Sequence, residues 1–250
     1  MPVDFPDIAN FTMLIYVNGD SWSWNADLKS NNFWPNILAK KLDAECINES
    51  VGCGSNSRIV DCLRNQLIQG LRPDLIVIAL TSHHRCHIPA PNFGYWNIGP
   101  AVALNDSTGH TDKEIVKWIL THSYQEIDSV YRYYRDVWTM SLLCQQFSCP
   151  YLLIQAWDEQ LEELNLLEYN ENISKYVNNH CEPNLIDANN YIKSFETFRM
   201  LKKTWKYVET SLKKSLNAHS DFDPTGHPND QGHRKMAEKI YQHLQELKVI

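Results

Sequence analysis

At 250 residues, 43 % of them hydrophobic, the chain suits one large α/β domain with a substantial core and does not read as disordered. A formal charge of −7 with no long basic run disfavours a nucleic-acid backbone as partner, and no apolar stretch approaches the roughly 18–20 residues of a membrane span. The acidic start MPVDFPDIANF has neither the basic head nor the apolar core of a secretion signal, and the seven cysteines contain no CxxC pair, so reduced thiols and a cytoplasmic setting are expected.

In chain order, the first apolar run is MLIYV (13–17), a buried parallel strand by its continuity. WPNILAKKL (34–42) follows with Pro just inside its start and apolar residues at Ile37, Leu38 and Leu42, the pattern of a helix. ECINESV (45–51) reads as the second strand. NSRIVDCLRNQLIQG (56–70) reads as a helix that opens on a capping residue and stops at glycine. LIVIAL (75–80) is the most apolar strand. The stretch 83–112 is too long for a simple connection, and its Pro, Gly and aromatic content suggests a lid or pocket wall. Residues 114–147 are amphipathic over one long helix or two, and YLLIQAW (151–157) is the fourth strand. Residues 158–183 form an acidic, Asn-rich excursion, NLIDA (184–188) is a weaker fifth strand, and 229–247 closes the chain as a helix with Met236, Ile240 and Leu244 on one face. Alternating strands and helices define a doubly wound sheet, whose ligands bind beyond the carboxyl ends of the strands.

Those strand ends carry the chemistry. YVNGDSWSW (16–24) ends an apolar run in Asn-Gly-Asp-Ser, where Gly19 permits a turn, Asp20 accepts bonds that fix it, and Ser21 stands at the opening of the next element. A serine hydroxyl is a useful nucleophile when a base takes its proton and donors receive the oxyanion. After the second strand, SVGCGSNSRI places Gly52 and Gly54 where backbone N–H groups can face a ligand. After the third, TSHHRCH crowds Ser82, His83 and His84 at the strand end. Near the C-terminus, DFDPTGHPNDQGH sets His227 behind Asp221 and Asp223, and a His held by a carboxylate is what a general base requires. His233 falls inside the last helix and reads as structural or surface.

Taken together, VNGDSWSW, GSNSRI opening a helix and GHPNDQGHRKMAEKI resemble the SGNH hydrolases, or GDSL esterase/lipase superfamily, most closely bacterial and phage-type members with a GDSW start. The resemblance spans nearly the whole chain. It implies a three-layer α/β/α sandwich over residues 1–250, with a doubly wound, flavodoxin-like parallel sheet of about five strands. It also implies ester hydrolysis through an acyl-enzyme, without metal or other cofactor. Ser21 matches the nucleophile and His227 the base, with Asp223 as its partner. The oxyanion donors implied are the N–H of Ser21 and that of Gly54 or Gly52. The family's third strand end carries G-x-N-D, whose Asn also donates; here ALTSHHR puts His83 nearest that position, with Ser82 beside it. The family's Asp three residues before His falls on Pro224, with Asp223 four before.

Trp22, Trp24, Ser82 and Trp96, with Phe93 and Tyr95, are candidates to line the substrate groove; such aromatics suit sugar faces and acyl chains alike. The substrate expected is an acetyl or short acyl ester of a sugar, a lipid or another small molecule, and nothing in the sequence sets the oligomeric state. Two other readings remain open. A binding protein that keeps the fold without turnover fits the replaced Asn and displaced Asp. A metallohydrolase on His83, His84, Cys86, His87 and His110 has ligand types that suit zinc but no HExxH or paired-cysteine spacing.

Overall fold

The computed structural model describes residues 13–24, 32–89, 95–98, 126–156, 207–208, 216–217, 220–223, 227–246 and 248. Five strands form one parallel sheet: β1 (Met13–Asn18), β2 (Ala44–Asn48), β3 (Leu75–Leu80), β6 (Tyr151–Gln155) and β7 (Tyr207–Val208). Their order is β2-β1-β3-β6-β7, with Tyr16 beside both Ile47 and Ile76 and Ile78 beside Leu153. The helices are α1 (Trp34–Leu42), α2 (Asn56–Ile68), α3 (Glu126–Gln146) and α4 (Asp230–Glu246). A separate antiparallel hairpin pairs β4 (Cys86–Pro89) with β5 (Tyr95–Ile98).

The period-2 pleat sorts each central strand onto two faces. Ile15, Val17, Leu75, Val77 and Ala79 pack with Trp34 and Leu38 of α1 and Met236, Ile240 and Leu244 of α4. Tyr16, Ile76, Ile78 and Leu80 point the other way, against Ile59, Leu63 and Leu67 of α2 and Val137 and Met140 of α3. Both faces of the sheet are therefore covered, which is why its central strands β1, β3 and β6 are near-continuous apolar runs rather than alternating. Each fully buried Leu or Ile contributes about 1.5–3 kcal/mol relative to exposure. The three-layer α/β/α sandwich expected from the sequence is the observed architecture.

Helix ends follow local chemistry. Pro35 sits in the first turn of α1, and Asp43 closes that helix in the left-handed region at φ 49°. The cap of α2 is Ser55, whose hydroxyl accepts the Arg58 N–H at 3.3 Å, one residue before the Asn56 expected to begin the helix. Asn229 caps α4, its Oδ1 accepting the N–H groups of Gln231 and Gly232 at 3.0 and 3.1 Å.

Among the described residues the fifth strand of the sheet is Tyr207–Val208; residues 184–188, expected as a strand, lie outside the described residues. The stretch 83–112 contains the β4–β5 hairpin, which its mixed polarity and proline content concealed. Residues 158–183 also lie outside the described residues, as does the N-terminal part of the amphipathic stretch, 114–125. No disulfide joins the described cysteines, and burial with the neighbouring Glu45 pushes the Cys46 thiol up to about 12. Among the described residues, no helix is long and apolar enough to cross a membrane.

Candidate functional site

In this strand order, the chain leaves β1 toward β2 on one side and then crosses back to β3 on the other. The carboxyl ends of β1 and β3 therefore flank the topological switch point, the crevice where doubly wound folds receive ligands. The NGDSW turn lies at that point.

One helical turn follows β1, with the carbonyl of Asp20 accepting the N–H groups of Ser23 and Trp24 at 2.9 and 3.0 Å. The Asp20 side chain, wholly buried, accepts the Trp22 N–H at 3.0 Å on Oδ1. Its Oδ2 accepts from Thr81 Oγ1 at 3.2 Å and Arg85 Nη1 at 2.7 Å. Ser23 is held twice: its hydroxyl accepts from Trp34 Nε1 at 3.2 Å and its carbonyl from Asn48 Nδ2 at 2.8 Å. The neighbours of Ser21 are thus committed to holding the turn. Ser21 itself is half-buried, and neither its hydroxyl nor its N–H is hydrogen-bonded among the described residues. That is the arrangement expected of a hydroxyl offered to a ligand.

The loop after β2 closes as a turn in which Gly54 N–H donates to Val51 O at 3.2 Å. A Cβ on Gly54 would lie 3.0 Å from Gly19 O, so glycine here lets the second loop seat directly on the first. The N–H groups of Gly52 and Cys53 make no hydrogen bond among the described residues, and Cys53 holds φ 58°. The Trp24 ring, 42 % exposed, covers Gly52 closely enough to stand 3.2 Å from a Cβ placed there. Below the loops, Asn56 makes a two-point contact with Thr81, donating to its carbonyl at 2.9 Å and accepting its N–H at 3.0 Å.

At the end of β3, Ser82 Oγ accepts the His84 N–H at 3.3 Å and Ser82 O accepts the Arg85 N–H at 3.2 Å, a tight turn. His83 stacks on His84 with ring centroids 3.7 Å apart, and its Nε2 is shielded from solvent.

The C-terminal loop is pinned by its own bonds and meets the first loop through one ring contact. Phe222 bridges Pro228, Asp223 N–H donates to His227 O at 2.8 Å, and Asp223 Oδ1 accepts the His227 N–H at 3.1 Å. His227 is exposed at the tip. The Phe222 ring meets the Trp22 indole at 5.5 Å between centroids, so the residue after Ser21 packs against the residue before Asp223. Asp221 is excluded as the partner of His227 by its own commitments. It is wholly buried, and its carboxylate accepts from Asn217 N at 2.6 Å, Lys235 Nζ at 2.7 Å and Ser220 Oγ at 3.1 Å. Desolvation opposes its charge, but these donors outweigh it and hold its pKa below the ordinary carboxylate value.

Of the aromatics expected in the groove, Trp22 is 2 % exposed and belongs to the core under the loop, because its indole fills the space between α1 and Phe222. That position is incompatible with direct substrate contact. Trp24 is at the surface beside Gly52. Trp96 pairs with Ile88 in β5, and Phe93 and His110 lie outside the described residues. Among the described residues, no group of three or more His, Cys, Asp or Glu side chains is arranged to hold a metal. Thr81, Arg85 and Asn56 join the three strand-end loops and were not singled out from sequence. The polar run TSHHR directly after an apolar strand is the sequence signal for Thr81 and Arg85.

No family model matches the chain, and no curated protein matches it. Solved structures do. TesA is similar over 94 % of this chain and 99 % of its own, at 15 % identity and a TM-score of 0.53. The psychrotrophic esterase EstA from Pseudoalteromonas sp., in a structure inhibited by monoethylphosphonate, is similar over 94 % and 98 %, at 12 % identity and a TM-score of 0.52. A protein from Slackia heliotrinireducens, provisionally assigned as an SGNH hydrolase, is similar over 93 % and 98 %, at 14 % identity and a TM-score of 0.50. The chain has the SGNH-hydrolase fold.

Proposed function

We propose that this protein is a serine-dependent ester hydrolase acting on an acetyl or short acyl ester of a sugar, lipid or other small molecule. The observation that supports the reading is the packing of Trp22 on Phe222, a contact between the residue after Ser21 and the residue before Asp223. The fold shared with EstA, whose structure holds a phosphonate inhibitor, supports it.

His227 takes the Ser21 proton as Oγ attacks the ester carbonyl, and the carbonyl oxygen becomes an oxyanion. The Ser21 N–H receives that charge together with an N–H from the 52–53 stretch. Gly52 is preferred over Gly54, whose N–H is already given to Val51. His83 or Ser82 supplies the third donor in place of the family's Asn. His227 then returns the proton to the leaving alcohol. Water attacks the acyl-serine with His227 again as base, releasing the acid and restoring the Ser21 hydroxyl. Asp223, with one oxygen on the His227 main chain, orients the imidazole through the other. Trp24 forms the groove wall. Seven cysteines with no CxxC pair fit reduced thiols, so the cytoplasm is the proposed setting.

The test is hydrolysis of p-nitrophenyl acetate and covalent labelling by an organophosphonate, each on wild type and Ser21→Ala. Activity and label lost together in the variant support the proposal; equal rates remove Ser21 as nucleophile. One observation favours a binding protein without turnover: the third strand end presents Thr81, Ser82 and His83 where an amide donor is expected. Loss of such a donor costs about 10²–10³ in rate. A wild type that binds p-nitrophenyl esters without releasing p-nitrophenol would establish that second reading.

A further inference from the structure

We propose that Arg85 is a positioning residue that clamps the Ser21 turn to the loops after β2 and β3; its catalytic consequence rests on the esterase reading above. The Asp20 carboxylate is fully buried, and a charge withdrawn from water must be paired. Arg85 pairs with it at 2.7 Å, at 15 % side-chain exposure. The same Nη1 lies 3.5 Å from Gly54 O, so one guanidinium touches the turn after β1 and the turn after β2. Its own backbone is fixed in the turn after β3 by the bond to Ser82 O. Three segments that are distant in sequence thus converge on one residue.

The geometry also explains why arginine stands there. A guanidinium presents several donors in a rigid plane and can serve two acceptors without reorienting, whereas an ammonium is a point charge on a flexible stem. Asp20 Oδ1 meanwhile holds the Trp22 N–H. Pull on Oδ2 is therefore transmitted through one carboxylate to the peptide that follows Ser21. Arg85 thus supplies a mechanical link between the three strand-end loops.

The experiment compares wild type, Arg85→Lys, Arg85→Met and Asp20→Asn by hydrogen exchange and by p-nitrophenyl acetate kinetics. Arg85→Met is expected to speed exchange in residues 20–24 and 51–55 by about 10-fold or more, with β1 and α4 unchanged. It should lower kcat about 10- to 100-fold with KM within about 3-fold, as for a misplaced nucleophile. Arg85→Lys should recover part of both effects. Asp20→Asn, which keeps the acceptor for Trp22 but removes the charge, should reproduce the Arg85→Met pattern and serves if Arg85→Met fails to fold. Unchanged loop exchange in these variants, or exchange raised evenly across the chain, overturns the clamp. Localised exchange changes in a protein whose wild type hydrolyses no ester would retain the clamp and discard the esterase reading.

Discussion

The indole of Trp22 and the ring of Phe222 lie 5.5 Å apart between centroids and are inclined by 58°, joining the first loop of the chain to its last. Tilted aromatic pairs of this kind are worth about 0.5–1.5 kcal/mol beyond the area they bury. Trp22→Ala is expected to cost about 3–5 kcal/mol of stability, because it also empties a core site, and Phe222→Ala about 1–3 kcal/mol. In a double-mutant cycle followed by urea unfolding, the two changes should couple by about 0.5–1.5 kcal/mol. Strictly additive effects would mean that the rings share space without holding the loops together.

Gly232 sits in the first turn of α4, where a Cβ would come within 2.3 Å of Asp221 O and 3.0 Å of Pro228 Cβ. Neither backbone nor proline can move aside cheaply, so Gly232→Ala must push the helix away from the loop that presents His227. The expected cost is about 1–3 kcal/mol of stability, with the proposed hydrolysis of p-nitrophenyl acetate falling by more than the unfolded fraction explains. Thermal melts paired with initial rates check this. An alanine variant with wild-type melting and rate would show that the loop adapts.

The sheet was legible because both its faces are covered: LIVIAL is apolar at every position and YLLIQ at all but its last, and neither needs periodicity to be recognised. A strand of two residues, Tyr207–Val208, offers no pattern at all. Capping was misassigned by one residue because Ser55 and Asn56 are both good caps, and tertiary structure decided between them: Asn56 is taken up by Thr81, leaving Ser55 to cap. The turn that carries Ser21 could be read locally, since Asp20 and the N–H groups of Trp22, Ser23 and Trp24 that it accepts are adjacent in sequence. The Arg85–Asp20 pair could not, because 65 positions separate its members and neither end announces the other.

His233 is 3 % exposed, and its ring lies on Phe33 at 4.5 Å between centroids. Burial disfavours the imidazolium; Asp230 and Asp223 offset it in part, while His227 adds to it, and the net result lowers the pKa from 6.5 to about 4. The unfolded chain therefore binds a proton that the folded one refuses between those values. Stability should fall as pH drops from 6.5 toward 4, at up to about 1.4 kcal/mol per unit from this group. His233→Phe keeps an aromatic contact with Phe33 and removes the titration. Chemical denaturation at a series of pH values should give a flatter profile for the variant across that window. Parallel profiles would assign the acid sensitivity elsewhere.

Cys53 occupies the left-handed region at φ 58°, between two glycines and next to the site. A side chain there costs roughly 1–2 kcal/mol, whereas glycine tolerates the conformation but loses about 0.5–1 kcal/mol through the freer unfolded chain. The balance predicts that Cys53→Gly stabilises the protein by up to about 1 kcal/mol, while Cys53→Val, β-branched at the same φ, destabilises it. Opposite shifts of the two melting temperatures check the prediction. If both variants melt below wild type, the thiol makes a contact worth more than the strain of its backbone, and cysteine at this turn is then held by packing rather than merely tolerated.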